Sequence, residues 1–164
     1  MTPGRRPGSR GGVVVIGVAL GAGLVDDRLR WEPATVEGTI YDAVGGLPAL
    51  LRLAEAWHER CLADPVVAHA FSHGYHPDHS ARLAAYWAEA LGGPSAYTAT
   101  VTSESEVVRL HSGNGEHREM DERAVACFDA AVSDAGLDLD PALHDTLVGY
   151  FTWATGYQIG RAHV

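Results

Sequence analysis

From residue 39 onward the apolar side chains recur at helical spacing, and glycine or proline cuts the pattern into blocks. Each helix must bury one face, so blocks of this kind without strand alternation predict a packed helical domain. Thr39, with Asp42 three residues on, caps a short first helix that Gly45 and Gly46 end. Pro48 suits a first helical turn. The helix it opens runs to about Asp64, with Leu50, Leu53, Ala54, Trp57 and Cys61 on one face. Pro65 opens a short helix ending near Phe71, and Ser72–His76 reads as a loop. Pro77 and Asp78 open a helix carrying Leu83, Tyr86, Trp87, Ala90 and Leu91, which Gly92, Gly93 and Pro94 break. A polar loop, a short helix around Glu104–His111 and a second breaker at Ser112–Gly115 follow. A longer helix at about His117–Ala135 turns Ala124, Val125, Phe128, Ala131 and Val132 inward. After an Asp140–Pro141 cap, the last helix buries Leu143, Leu147, Tyr150, Phe151 and Ala154. Only Ala99–Val101 hints at a strand. The expected class is all-α, with no internal repeat.

Charge removes some functions. The chain of 164 residues has 12 basic side chains, all arginine, against 21 acidic ones, a formal net charge of −9. Five of those arginines lie among the first 30 residues, so the remainder is more acidic still. Such a surface repels a phosphate backbone and anionic lipid, so neither nucleic acid nor membrane is an expected partner. Cys61 and Cys127 form no paired motif and read as buried thiols in a reducing, cytoplasmic compartment.

The ends read differently from the middle. Residues 1–38 are expected to be an extension outside the domain, disordered or added by an upstream start. Arg5 and Arg6 before the apolar run Val13–Val25, too short to span a bilayer, leave a secretory signal as the weaker alternative. Ile159–Val164 is similar to the translation of a common sequencing-adapter tail and is expected to be non-native. The domain is therefore expected at 39–158.

Read without further context, His73, His76 and His79, with Asp78 among them, suggest a zinc or non-haem iron site in a metal-dependent helical hydrolase. Gly74, Tyr75 and Pro77 make much of that run a loop, so the rings need not converge. A cofactor-free helical interaction domain is the third reading.

Several motifs taken in order are more specific. They are Ile40-Tyr41-Asp42-Ala43-Val44-Gly45-Gly46, Ala63-Asp64-Pro65, Phe71, Leu91-Gly92-Gly93-Pro94, Tyr97, Val107-Val108-Arg109-Leu110-His111 and Cys127-Phe128. Together they resemble the truncated haemoglobin family, nearest its group II, over roughly residues 39–157. The resemblance implies a truncated-globin fold, a two-over-two helical sandwich around one haem (iron protoporphyrin), with His111 as the iron ligand. Haem iron takes a neutral imidazole nitrogen, and the other ring nitrogen needs an acceptor that fixes the tautomer.

The same resemblance places Phe71 against the haem, and His58 where the group usually has tyrosine. It puts His79 at the distal position, Leu83 one turn further, and Tyr86 and Trp87 on the following turn. His58 or His79 could donate a hydrogen bond to a ligand that draws electron density, or either could itself reach the iron. Dioxygen or another diatomic ligand is the implied partner. Nitric-oxide dioxygenation or peroxidase-type chemistry would add an unidentified reductant. The family often carries a bulky tryptophan early in the helix after the iron ligand. The nearest match here is Ala124, so the pocket is wider or another side chain fills it.

Overall fold

The computed structural model describes residues 37–100 and 118–162. Its helices are α1 (Ile40–Ala43), α2 (Gly46–Ala63), α3 (His79–Ala90), α4 (Ala96–Thr100), α5 (Arg118–Asp134) and α6 (Pro141–Ala162), with a 3₁₀ turn at Val67–Phe71 between α2 and α3. Among the described residues there is no strand, as the periodicity predicts.

Local chemistry sets the helix ends. The Thr39 hydroxyl accepts the Asp42 N–H at 3.0 Å and donates to the Asp42 carboxylate at 2.8 Å, a reciprocal cap on α1. Gly45 and Gly46 both have positive φ, 103° and 72°, so the chain reverses there at little cost and enters α2 at once. The Asp64 carboxylate accepts from the N–H groups of Val66 and Val67 at 2.9 and 3.1 Å, so Asp64 starts the 3₁₀ turn and Pro65 only precedes it. Asp140 accepts the Leu143 N–H at 3.0 Å and caps α6.

Two helix pairs form the layers. α2 packs on α3, α5 packs on α6, and α2 lies across α5. Arg52, early in α2, donates to the carbonyl of Ala135 beyond the end of α5. Asp64, at the end of α2, pairs with Arg123 in the first half of α5 at 2.9 Å, so α2 and α5 run antiparallel. A further Arg60–Asp134 ion pair joins the same helices. The core between the layers holds Leu50, Leu53, Cys61, Trp87, Leu91, Phe128, Val132, Leu147 and Phe151. Each fully buried leucine contributes about 1.5–3 kcal/mol by leaving water. No helix among the described residues is long and apolar enough to cross a membrane.

Two expectations shift. Ala99 and Thr100 lie in helix α4 rather than in a strand-like segment, and Val101 falls outside the described residues. Tertiary contacts override β-branched propensity there. Glu89 on α3 accepts from the Thr98 N–H and hydroxyl at 3.0 and 2.7 Å, while Tyr97 is buried against Tyr86. Val125 and Ala154 pack at the edge of the core and not within it. The expected helix at 104–111 and breaker at 112–115 lie outside the described residues.

Candidate functional site

The second half of α2 faces the first turn of α3, and the 3₁₀ turn with the loop after it closes one side. Four rings meet there: buried His58 from α2, Phe71 from the end of the 3₁₀ turn, Tyr75 from the loop and His79 at the start of α3. His58 lies 4.9 Å from Phe71, 4.5 Å from Tyr75 and 4.8 Å from His79 between ring centroids. Phe71 and His79 are 5.6 Å apart, edge to face.

The two histidines approach through like-named nitrogens, with His58 Nδ1 at 3.0 Å from His79 Nδ1. One of these nitrogens must carry the proton and the other accept it. Burial lowers the pKa of His58, which favours its neutral ring. His58 Nε2 is buried and has no hydrogen-bond partner. Such a polar atom costs about 1–3 kcal/mol if nothing ever pairs with it.

Behind the four rings stands a second aromatic group. Phe128 and Phe151 stack at 4.2 Å, and Trp87 meets them edge-on at 5.3 and 6.0 Å. Trp57 bridges the groups, 6.5 Å from Phe71 and 6.1 Å from Trp87, and its indole N–H donates to the Ala124 carbonyl.

Of the residues singled out in the sequence, His58, Phe71 and His79 are brought together. Leu83, one turn beyond His79, is partly buried against the core. Trp87 is buried within the aromatic core, and Tyr86 pairs with Tyr97 of α4 at 5.3 Å. His111 lies outside the described residues. Tyr75 and Trp57 were not expected to take part. Tyr75 read only as a loop residue and Trp57 only as part of a buried helix face; the signal for both was aromatic character close in sequence to His58 or His79.

The histidine run does not form a metal site. His76 Nδ1 accepts the Asp78 N–H at 3.0 Å, His73 is exposed in the loop, and His79 turns to His58. Among the described residues no group of three or more metal-ligating side chains converges. The chain's turn at Gly74 and Pro77 separates these rings, which corrects the non-haem hydrolase expectation. Cys61 and Cys127 are free thiols that lie near each other between α2 and α5, and burial pushes both pKa values up. They are therefore weak nucleophiles.

Comparison with known proteins completes the description. A family model described as bacterial-like globin matches residues 39–152. A thermostable hemoglobin from the actinobacterium Thermobifida fusca is 26% identical with a TM-score of 0.64, covering 74% of this chain and 97% of its own. The group II truncated hemoglobin from Bacillus anthracis is 15% identical with a TM-score of 0.66, covering 76% of this chain and 93% of its own. A truncated oxygen-avid haemoglobin from Bacillus subtilis is 19% identical with a TM-score of 0.64, covering 74% and 99% respectively. The two Bacillus likenesses speak to fold alone. A comparison with curated proteins gives no match.

Proposed function

The chain belongs to the bacterial-like globin family, and on that premise we propose that it binds dioxygen or a related diatomic ligand at a haem held by His111, beneath His58 and His79. Its cofactor as a globin is haem, which supplies an iron that binds diatomic ligands and exchanges electrons with them.

The side chains present fit that group. His58 Nε2, buried without a partner, is a polar atom on a ring packed among Phe71, Tyr75 and His79, which suits a ligand-facing position. Phe71 and Leu83 are half-buried and apolar, as residues against a porphyrin face should be. Trp87 and Tyr86 stand behind them on α3. The observation that carries the reading is the approach of His58 and His79 beside Phe71. A neutral imidazole N–H fixed by a second ring is a preorganised donor toward a ligand that gathers negative charge. Phe71 meets both imidazoles edge-on and holds them in place. Redox turnover, such as nitric-oxide detoxification, would draw on an external reductant.

Expression of the full chain with a haem supply tests the reading, with ferric and ferrous carbon-monoxide spectra as the readout. A Soret band that shifts on reduction with carbon monoxide is the expected result, and His111→Ala should abolish stable haem retention. Unchanged haem content in that variant removes His111 as the ligand. His58→Leu and His79→Leu should each speed dioxygen dissociation about 10-fold or more, the worth of one strong hydrogen bond. If neither does, the donor assignment is wrong.

A further inference from the structure

Two neutral imidazoles hydrogen-bonded through Nδ1 on both sides cannot share one tautomer. The ring that donates at Nδ1 has a bare Nε2, and the ring that accepts there carries its proton on Nε2. The His58–His79 contact of 3.0 Å therefore always presents one base and one donor at its outer nitrogens. A proton hop across the contact, matched at the two ends, exchanges the roles. One end, His58 Nε2, is buried and unpartnered. The other ring opens α3 half-buried, beside the exposed loop 72–78.

Resting on the reading of this cluster as the ligand side of a haem site, we propose that His58 and His79 form a proton relay that fits the site to weak-acid ligands, HX, which must shed a proton to bind ferric iron as X⁻. His58 Nε2 accepts the proton of HX, the His58 Nδ1 proton passes to His79 Nδ1, and His79 releases its Nε2 proton to water. The H–X bond breaks, its electron pair stays on X, one proton reaches solvent, and no electron is gained or lost. A lone buried histidine would be left as a cation, which burial disfavours. The second ring removes that charge. His58 ends in the opposite tautomer, and its new Nε2–H can hydrogen-bond the anion just formed. Tyr75, whose ring stands 4.5 Å from His58 and 6.2 Å from His79, walls the pair on the loop side.

Hydrogen cyanide, protonated at neutral pH, is the probe, and carbon monoxide, which has no proton, is the control. Stopped-flow mixing compares the ferric holoprotein and its His79→Leu variant with cyanide, and the ferrous forms with carbon monoxide. Cyanide association should slow about 100-fold in the variant, within the usual range for loss of an acid–base group, while carbon monoxide association, which moves no proton, should not slow with it. Nitrogen NMR of the two imidazoles in the ferrous carbon-monoxide wild type should show one ring protonated at Nδ1 and the other at Nε2. Equal cyanide rates, a parallel slowing of both ligands, or two identical tautomers would each overturn the relay while leaving haem binding in place. A chain that takes up no haem overturns the site reading and the relay with it.

Discussion

Trp57 donates its indole N–H to the main-chain carbonyl of Ala124 at 3.1 Å, joining α2 to α5. The same ring lies 5.5 Å from Phe151 on α6 and 6.1 Å from Trp87 on α3, so four helices meet around one side chain. Alanine at 124 has only a Cβ, which leaves the carbonyl open to an indole arriving from α2. Truncated haemoglobins often carry a tryptophan near this point of α5; here the indole comes from the opposite layer.

Truncating Trp57 should therefore be costly. Trp57→Ala removes the bridging ring from the core and should destabilise the fold by about 3–5 kcal/mol. Trp57→Phe keeps most of the ring and loses the bond to Ala124, and should cost about 1–2 kcal/mol. Urea denaturation followed by far-ultraviolet circular dichroism measures both. Equal losses for the two variants would mean that the hydrogen bond, and not the ring, is what matters.

The helix boundaries were legible because their causes are local. Thr39 with Asp42, the Gly45–Gly46 pair and the Asp140–Pro141 cap each act within one turn. The inward faces of α2, α5 and α6 followed from spacing, except that Val125 and Ala154 sit at the edge of the core. Contacts between distant segments were not legible in that way. Nothing near Cys61 points to Cys127, and helix α4 exists because Glu89 and Tyr86 hold it from α3. Resemblance named His58 and His79 separately, but that they meet through Nδ1 depends on how α2 and α3 cross. Tyr75 joins them because the loop folds back, which its glycine and proline neighbours permit but do not dictate.

The lowered pKa of His58 has a consequence for stability. A histidine buried as the neutral ring binds its proton more readily in the unfolded chain, so the unfolded state gains protons first as pH falls. Its penalty is absent above the ordinary histidine range, about pH 6.5, and grows as pH drops from there toward the lower folded value. Denaturant midpoints across this range, for the wild type and for His58→Gln, isolate the effect. The wild type should lose more stability on acidification than the variant; parallel curves would show that His58 titrates alike folded and unfolded.

Asp64 carries the opposite sign. The Val67 N–H, the Arg123 guanidinium and the Val66 N–H hold its carboxyl below the usual carboxylate range. Its contribution is present at neutral pH and is lost as pH falls from about 3.9 through the lower folded value. Asp64→Ala should be less stable than the wild type at neutral pH, with the gap closing in acid. Arg123→Gln should reproduce only part of the loss, since the two backbone bonds survive. Thermal melts at neutral and acid pH decide this, and a gap that stays constant with pH would deny the carboxylate its role.

Gly93 offers the sharpest steric test. A Cβ placed there would stand 2.7 Å from the Ala88 carbonyl oxygen, and 2.7 and 2.8 Å from two carbons of the Tyr41 ring. The Ala88 carbonyl accepts the Gly93 N–H, and the Tyr41 N–H is fixed to the Leu91 carbonyl at 2.9 Å, so neither neighbour can yield freely. This seam anchors α1 to the end of α3. Gly93→Ala should destabilise the fold by about 1–3 kcal/mol through overpacking. Gly156, inside α6, is the contrast, because a methyl group on its Cα would meet nothing within 4 Å. Gly156→Ala should stabilise by about 0.5–1 kcal/mol, since alanine loses less chain entropy in a helix. The two variants should shift the thermal midpoint in opposite directions, and a Gly93→Ala protein as stable as the wild type would mean that α1 does not dock against α3 in this way.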